Sequence, residues 1–256
     1  MPIADAKTFG NDGYLHIKGV IKPKTIENFW TSFFDLYEFY SDTQITRDFD
    51  SPEFGTKLAE FRAANPDGLH ALFRTIKHTI PFQNLFNGDD LIELVCKTIR
   101  ADPKHVIIGE HQFRIDEPND ELYTLQWHQD APYYPQSHAG KESIVVNICV
   151  QNGYENMGVP LLIKGSHSDG LIEEVRGDNK SKVTQKTIPS NYTENKAVSI
   201  VEPKIGDVVI YDLNLIHRSG CNTSQKARFS ILGRCFNPLS KHFTPYYYKD
   251  REFIET

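Results

Sequence analysis

The sequence predicts a mainly β protein with a jelly-roll core, preceded by a helical N-terminal part. Two observations support this prediction. The first half of the chain spaces its apolar residues at helical intervals, whereas short apolar or alternating runs fill the region from about residue 104 to residue 237. A length of 256 residues also fits one β-rich domain. We therefore expect a single domain over residues 1–256, with a helical part at about 22–102 and a jelly-roll core at about 104–237.

Composition and charge narrow the classes of partner. The net charge of -6 and the pI of about 5.9 argue against nucleic acid and anionic membrane surfaces as partners. No apolar run is long enough for a membrane span, and residues 1–10 lack the features of a secretory signal. The four cysteines lie far apart without a CxxC pair, which is typical of reduced thiols. We expect a cytoplasmic protein that is a monomer or a homodimer.

Three helices are predicted in the N-terminal half. The first covers Lys24 to Tyr40, where apolar residues recur at steps of three and four: Ile26, Phe29, Trp30, Phe33, Tyr37 and Tyr40. The second is predicted around Gly68 to Thr79. The third covers Asp89 to Arg100 and opens with two carboxylates, which suit a helix N-terminus. The stripe on the first helix is more typical of a core face than of a cofactor site.

The second half contains strand-like runs separated by turn residues. They cover residues 106–116, 121–130, 143–151, 159–167, 197–203, 206–213 and 227–236. Short strands grouped in this way are typical of a sandwich or barrel of the jelly-roll kind. A polar segment without periodicity, residues 173–196, interrupts them. Because unstructured loops of this length are usually functional or disordered, we predict a lid there, with a surface insertion as the alternative.

The stretch LQWHQDAPYYP, Leu125 to Pro135, indicates a metal site. It places His128 and Asp130 two residues apart, so on a strand both side chains would lie on one face. A face of two histidines and one carboxylate binds Fe(II) and leaves positions open for a co-substrate and dioxygen. The sequence must therefore supply one more histidine.

Three histidines compete for this role. His217 follows the run GDVVIYDLNLI and would lie at a strand end, whereas His111 lies inside a strand-like run. His167, in a predicted turn, is the strongest rival. Any one histidine is more often structural or exposed than a ligand. We choose His217 because Arg228 follows it eleven positions later.

Arg228 lies in the run ARFSILGRCF, where Arg228 and Ser230 alternate with Phe229 and Ile231. One face of this strand would carry a guanidinium and a hydroxyl. A guanidinium that points into a barrel needs an anion, because an unpaired buried charge is costly. A dicarboxylate co-substrate would supply that anion, with Ser230 or Ser219 adding a hydrogen bond. The alternative is an internal salt bridge to an Asp or a Glu.

The motifs WHQD, VPLLIKGSHSDG and GDVVIYDLNLIHRSGCN, followed by Arg228, resemble the phytanoyl-CoA dioxygenase-like family of Fe(II)/2-oxoglutarate-dependent oxygenases. Phe9 to Ile21 resembles the opening strand of that family, and the resemblance covers roughly residues 9–236. It implies a double-stranded β-helix, the cupin-like form of the jelly roll. It also implies that 2-oxoglutarate is anchored by Arg228 and Ser219, and that iron is bound by His128, Asp130 and His217.

The resemblance implies a dioxygenase that uses Fe(II), 2-oxoglutarate and dioxygen, releases succinate and CO2, and hydroxylates an unactivated C–H bond of a small molecule. Asp130 implies a hydroxylase rather than a halogenase, because a small residue replaces this carboxylate in halogenating relatives. A metal-binding jelly roll without catalytic activity and an isomerase-type cupin are the alternatives. Arg228 favours the oxygenase, since a binding module needs no guanidinium at a fixed place relative to the metal.

Further residues are assigned to the same cavity. Asn147 stands where relatives can carry an aromatic residue, and its amide would bond the co-substrate, the substrate or a neighbouring backbone group. Gln112 and Arg114 alternate on a strand and would contact a polar substrate. The aromatic walls would be Trp127, Tyr133 and Tyr134, with core or rim packing as the alternative. The cluster Phe243 to Tyr248 would cap the barrel or form a dimer contact.

Overall fold

The computed structural model describes residues 6–119, 124–134, 142–173, 175–176 and 186–244. Its helices are α1 (Ala6–Asp12), α2 (Pro23–Ser41), α3 (Pro52–Ala64), α4 (Pro66–Ile76), α5 (Ile80–Asn84), α6 (Asp89–Ile99) and α7 (Ser190–Thr193). Its strands are β1 (Tyr14–Ile17), β2 (Ile107–Asp116), β3 (Ser143–Ile148), β4 (Pro160–Ile163), β5 (Val175–Arg176), β6 (Lys186–Thr187), β7 (Val198–Ile200), β8 (Val208–Asp212), β9 (His217–Ser219) and β10 (Arg228–Phe236).

The three predicted helices are confirmed as α2, α4 and α6. Helix α2 starts at Pro23, whose fixed φ suits the first helical turn, and its apolar stripe is buried. Helix α3 was not predicted, because its apolar residues form a weak stripe and Gly55 interrupts them. That glycine permits close packing, since a Cβ there would lie 3.2 Å from the backbone nitrogen of Ala227. Side-chain oxygens of Ser51, Asn65 and Thr79 cap α3, α4 and α5.

Two antiparallel sheets form the jelly roll. The larger has five strands in the order β1-β8-β3-β10-β2, and the smaller has three in the order β7-β4-β9. In the smaller sheet β9 pairs with β4, so that His217 lies opposite Leu162 and Ser219 opposite Pro160. Strands β5 and β6 form a separate hairpin-like pair. The architecture confirms the predicted double-stranded β-helix.

The larger sheet separates two apolar clusters. Helix α2 packs on its outer face, where Phe29 and Phe33 contact the rings of Phe113 and Phe229. The second cluster lies between the sheets and includes Val145, Leu162, Val209, Leu213 and Leu215. Because side chains alternate along a strand, β10 sends Phe229, Ile231 and Cys235 to the helices, and it sends Arg228, Ser230, Leu232 and Arg234 to the interior. The helices thus close one face of the sheet, and the opposite face is left to line a site.

One predicted strand is not formed by the residues that the structure describes. Residues 121–130 were predicted to form a strand, but residues 124–130 make only an isolated bridge, His128 to His217. The reason is that Asp130 leads directly into a 3-10 helix, Ala131–Tyr133.

All four cysteines are unpaired. None of the helices in the described ranges has the length and apolar character needed to cross a membrane.

Candidate metal centre

Backbone hydrogen bonds bring the three predicted metal ligands together. The amides of His128 and His217 each donate to the carbonyl of the other at 3.0 Å, although the two residues are far apart in the chain. The amide of Asp130 donates to the carbonyl of Leu213 at 2.9 Å, and this hydrogen bond fixes the backbone at Asp130. Gln129, between the ligands, points away from them and bonds Gly170, Ile172 and Asn214. These hydrogen bonds between residues far apart in the chain therefore build the triad.

The three side chains form a buried group that could hold a metal ion. Their ligand atoms all lie within 4.8 Å of one another. Asp130 Oδ1 is 3.5 Å from His128 Nε2 and 3.8 Å from His217 Nε2. Ligands bound to one ion at roughly 2.0–2.2 Å are themselves about 3–4 Å apart, so the spacing fits a shared cation. Each of the three residues is less than 10% exposed.

The histidine tautomers also suit a metal. His128 Nδ1 lies 2.7 Å from the carbonyl of Gln126, and His217 Nδ1 lies 2.9 Å from that of Leu215. Each Nδ1 must donate to its carbonyl, which leaves the Nε2 lone pair for a cation. Burial, and next the neighbouring His128, lower the pKa of His217 to about 3. The ring of His217 is therefore neutral near pH 7, as a metal ligand must be.

Arg234, which was not among the predicted site residues, lies beside the triad. It donates to Asp130 Oδ2 from Nη2 at 2.7 Å and from Nε at 3.2 Å. Burial alone would raise the pKa of Asp130, but the Arg234 guanidinium holds that pKa well below its usual range. The sequence did carry a signal for this residue: Arg228, Ser230 and Arg234 all lie on the same alternating face of β10.

The opposite end of the cavity carries a second guanidinium, that of Arg228. Its Nη1 donates to Ser230 Oγ at 2.6 Å, and its Nη2 pairs with Asp116 Oδ2. Asp116 also accepts from Arg114, whose Nε lies 2.7 Å from Oδ1. Arg228 Nε is buried without a hydrogen-bond partner among the described residues. The internal salt bridge considered as the alternative for Arg228 is therefore present, shared with Arg114.

A cavity of about 230 Å³ connects the two ends. Most of the predicted co-substrate and substrate residues line it: Asn147, Ser219, Arg228, Ser230, Gln112, Arg114, Tyr133 and Tyr134. Leu125, Pro160, Tyr211 and Leu232 also contribute, and sequence analysis did not assign them. The ring of Tyr211 lies 4.8 Å from that of His217 and supports it. Co-substrate and substrate candidates thus share one space with the triad.

Trp127 is the exception, because it is not among the residues that line this cavity. It packs with Ile163, Ile188 and Ile216 on the outside of the smaller sheet, and the guanidinium of Arg218 lies 5.0 Å from its ring. The reason is alternation: when His128 points inward, its neighbour points outward.

The two rival histidines lie elsewhere. His111 packs against Phe86 with ring centroids 4.5 Å apart, and burial lowers its pKa. His167 lies in the 3-10 helix Ser166–Asp169, and its Nε2 is 3.2 Å from the carbonyl of Gly10. Neither belongs to the metal-binding group found in the described part of the chain.

Part of the predicted lid, residues 173–196, touches the cavity. Strands β5 and β6 pair there, and the amide of Lys186 donates to the hydroxyl of Tyr133 at 3.0 Å. Ile188 is buried beside Ile163 and Ile216. Residues 174 and 177–185 of this segment, and residues 245–248 of the C-terminal aromatic cluster, lie outside the described residues. Phe243, the first aromatic residue of that cluster, packs against Phe236 at 6.4 Å.

Comparison with known proteins decides the family. Residues 9–230 match the family model described as Phytanoyl-CoA dioxygenase (PhyH). The chain belongs to the phytanoyl-CoA dioxygenase family. No curated protein matches the chain at a significant level.

Three solved structures show the fold that this PhyH chain shares. The epimerase SnoN, in complex with Fe3+, alpha ketoglutarate and nogalamycin RO, is 15% identical, with a TM-score of 0.61 over 91% of this chain and 82% of its own. AviO1 from Streptomyces viridochromogenes Tue57 is 17% identical, with a TM-score of 0.60 over 93% and 96%. EctD from S. alaskensis is 16% identical, with a TM-score of 0.61 over 93% and 79%.

Proposed function

We propose that this protein is an Fe(II)- and 2-oxoglutarate-dependent dioxygenase that hydroxylates an unactivated C–H bond of a small molecule. The observation that carries the proposal is the pairing of two chemistries in one cavity: metal-binding atoms converge at one end, and Arg228 with Ser230 lies at the other. Membership of the PhyH family supports it, as does the same fold in SnoN, which was solved with Fe3+ and alpha ketoglutarate.

The metal would be held by Nε2 of His128, Nε2 of His217 and Oδ1 of Asp130. The Nδ1 hydrogen bonds to backbone carbonyls keep both rings oriented, so that little reorganisation is needed when the ion binds. When bound, Fe(II) together with 2-oxoglutarate and dioxygen supplies the oxidising chemistry, with succinate and CO2 as co-products. Asp130 occupies the ligand position that would have to be small in a halogenase, which supports hydroxylation.

The far carboxylate of 2-oxoglutarate would bind at Arg228. Ser230 accepts a hydrogen bond from Arg228, so its own hydroxyl proton remains to be donated to an anion. Ser219 lines the same cavity and would add a further donor. Asn147 lies on β3 between Leu232 and Val209 of the neighbouring strands, and its amide would bond the co-substrate or the substrate.

The substrate would contact Gln112, Arg114, Tyr133 and Tyr134, which line the cavity. Tyr133 is 42% exposed, so it marks the mouth, whereas Tyr134 is buried. The segment 186–196 would act as part of a lid, because its Lys186 amide already bonds the Tyr133 hydroxyl. A closed lid would keep water away from the metal and limit side reactions.

One observation favours a second candidate, a metal-binding cupin that does not use 2-oxoglutarate. Arg228 already has a carboxylate partner in Asp116, so its charge does not by itself require an added anion. Under this candidate Fe(II) or another divalent cation would bind, but 2-oxoglutarate would not.

Anaerobic spectroscopy separates the two candidates. The protein is loaded with Fe(II) and titrated with 2-oxoglutarate, and the weak visible charge-transfer band of the chelate is recorded. We expect the band to appear and to saturate. Iron-loaded protein without the band would overturn the oxygenase and leave the cupin.

Succinate formation then reports turnover over a panel of small molecules. Mass spectrometry of the product identifies the reaction type. Hydroxylation adds one oxygen atom, whereas epimerisation, the reaction of the epimerase SnoN, leaves the mass unchanged.

A further inference from the structure

Arg234 lies where it can control how Asp130 would bind a metal ion. It is 4% exposed and lies six residues after Arg228 on the same face of β10. The pairing of β10 with β2 shifts register between Leu232 and Arg234. Glu110, in the shifted part of β2, has a positive φ of 49°, and its carbonyl accepts from Arg234 Nη1 at 3.4 Å. Irregularities of this kind re-aim side chains next to functional sites.

The two carboxylate oxygens of Asp130 have different neighbours. Both contacts from Arg234 go to Oδ2, at 2.7 and 3.2 Å. The histidine Nε2 atoms instead lie nearest Oδ1, at 3.5 and 3.8 Å. One oxygen therefore faces the guanidinium and the other faces the metal-binding nitrogens. A carboxylate held in this way presents a single oxygen to an ion.

The guanidinium has little freedom to move. The ring of Tyr134 lies 4.7 Å from its central carbon, and Asp130 and the Glu110 carbonyl hold it on other sides. Its planar fork suits two parallel donors to a single carboxylate. The arrangement is thus preorganised, since the orientation of Asp130 does not have to be established when the ion arrives.

We infer that Arg234 is a positioning residue that keeps Asp130 in single-oxygen contact with the metal and so preserves an open position for the co-substrate. This inference rests on the proposed function for the identity of that co-substrate. If Oδ2 were released, Asp130 could bind the ion through both oxygens. The second oxygen would then occupy a position that the 2-oxo acid needs.

The test uses the full chain with Co(II), which needs no oxygen-free handling, and two variants. Arg234→Met keeps the bulk and removes all donors, whereas Arg234→Lys keeps the charge without the planar fork. Arg47→Met is the control, because Arg47 also pairs with carboxylates, Glu38 and Asp35, but on the surface. Calorimetry measures Co(II) affinity and the 2-oxoglutarate affinity of the Co(II) form, and crystal structures of the Co(II) forms show how Asp130 binds.

We expect Arg234→Met to retain Co(II) affinity but to lose 2-oxoglutarate affinity by about tenfold or more, with Asp130 bound through both oxygens. Arg234→Lys should lie between this variant and the wild type, and Arg47→Met should match the wild type. If Arg234→Met does not fold, Arg234→Lys carries the test with the same direction of change.

Two results would overturn the inference: an equal loss of Co(II) and 2-oxoglutarate binding, or Asp130 still bound through one oxygen with unchanged 2-oxoglutarate affinity. The proposed function fails separately, if the wild-type Co(II) form does not bind 2-oxoglutarate at all. In that case the binding mode of Asp130 in the variants still decides the role of Arg234.

Discussion

The two ends of the cavity contain the same pair of groups, a buried arginine and an aspartate, and use it in opposite ways. At one end Arg234 binds one oxygen of Asp130, and the other oxygen faces the Nε2 atoms of two histidines. At the other end both oxygens of Asp116 accept from arginines, Arg114 and Arg228. The first arrangement gathers lone pairs and suits a cation. The second gathers N–H donors and suits an anion.

A buried ion pair therefore does not by itself define a site. What matters is which atoms remain unused once the pair has formed. Asp130 retains an acceptor directed at Nε2 atoms, whereas Asp116 is taken up by guanidinium groups. At the anion end the unused atoms are donors, such as Nε of Arg228, which has no partner among the described residues.

The largest expected effect comes from removing a ligand at the cation end. His128→Ala, Asp130→Ala and His217→Ala should each lower Fe(II) affinity by at least about 100-fold, because each removes one of three protein ligands. Calorimetry with Fe(II) under nitrogen measures this. The matched control is His167→Ala, since His167 lies outside the triad. Loss of iron binding in His167→Ala, with retention in His217→Ala, would refute the assignment of the third ligand.

At the anion end, Arg228→Ala should leave Fe(II) affinity unchanged and weaken 2-oxoglutarate binding by about 100-fold, which corresponds to about 3 kcal/mol for a lost charged hydrogen-bond pair. The measurement is the titration of the visible chelate band in the iron-loaded protein. Thermal unfolding without ligand checks that the variant folds. An unchanged 2-oxoglutarate affinity would show that the anion is anchored elsewhere.

Asp116→Asn tests whether the internal carboxylate competes with the co-substrate. Removing its charge should tighten 2-oxoglutarate binding by about threefold to tenfold, or about 1 kcal/mol, because Arg228 no longer has an internal counter-ion. The same variant should unfold at a lower temperature than the wild type when no ligand is present. If instead it binds 2-oxoglutarate as weakly as Arg228→Ala, then Asp116 positions Arg228 and does not compete.

A separate effect, on folding stability and not on ligand binding, concerns Asp212, a partly buried carboxylate with no arginine contact among the described residues. Burial raises its pKa to about 6, despite a hydrogen bond from the backbone of Asn214. The unfolded chain ionises this group near its ordinary pKa of roughly 4, so the folded state loses stability as the pH rises from about 4 to about 6. Asp212→Asn should therefore be more stable than the wild type above pH 6, by about 1–2 kcal/mol.

Urea unfolding at several pH values measures this difference. It should vanish below about pH 4, where the wild-type carboxyl is protonated in both states. A difference that does not depend on pH would show that packing, and not ionisation, sets the effect. The opposite pKa shifts of Asp212 and of Asp130, whose pKa Arg234 keeps low, would then not explain how the two carboxylates affect stability.

Much of the fold could be read from periodicity. The helix over Lys24 to Tyr40 and the block of short strands after residue 104 depend on contacts between near neighbours in sequence, and both are confirmed as α2 and the jelly roll. In the strand predicted over residues 121–130, the described residues 124–130 form only an isolated bridge, because their backbone follows hydrogen bonds to Leu213 and His217, which lie far along the chain. Helix α3 was missed because its stripe is weak and its packing on Ala227 is a tertiary contact.

The residue types of the site and the family could be inferred from the sequence alone: a close His-Asp pair, a later histidine, and an arginine followed by a serine on one strand face. How these residues combine depends on tertiary contacts. Pairing of His128 with His217 fixes the cation end, and the contacts of Arg234 and Asp116 give two similar ion pairs different roles. The physical reason is that side-chain alternation is a local property of the chain, whereas the partner across a sheet depends on register and on the residues that register brings together.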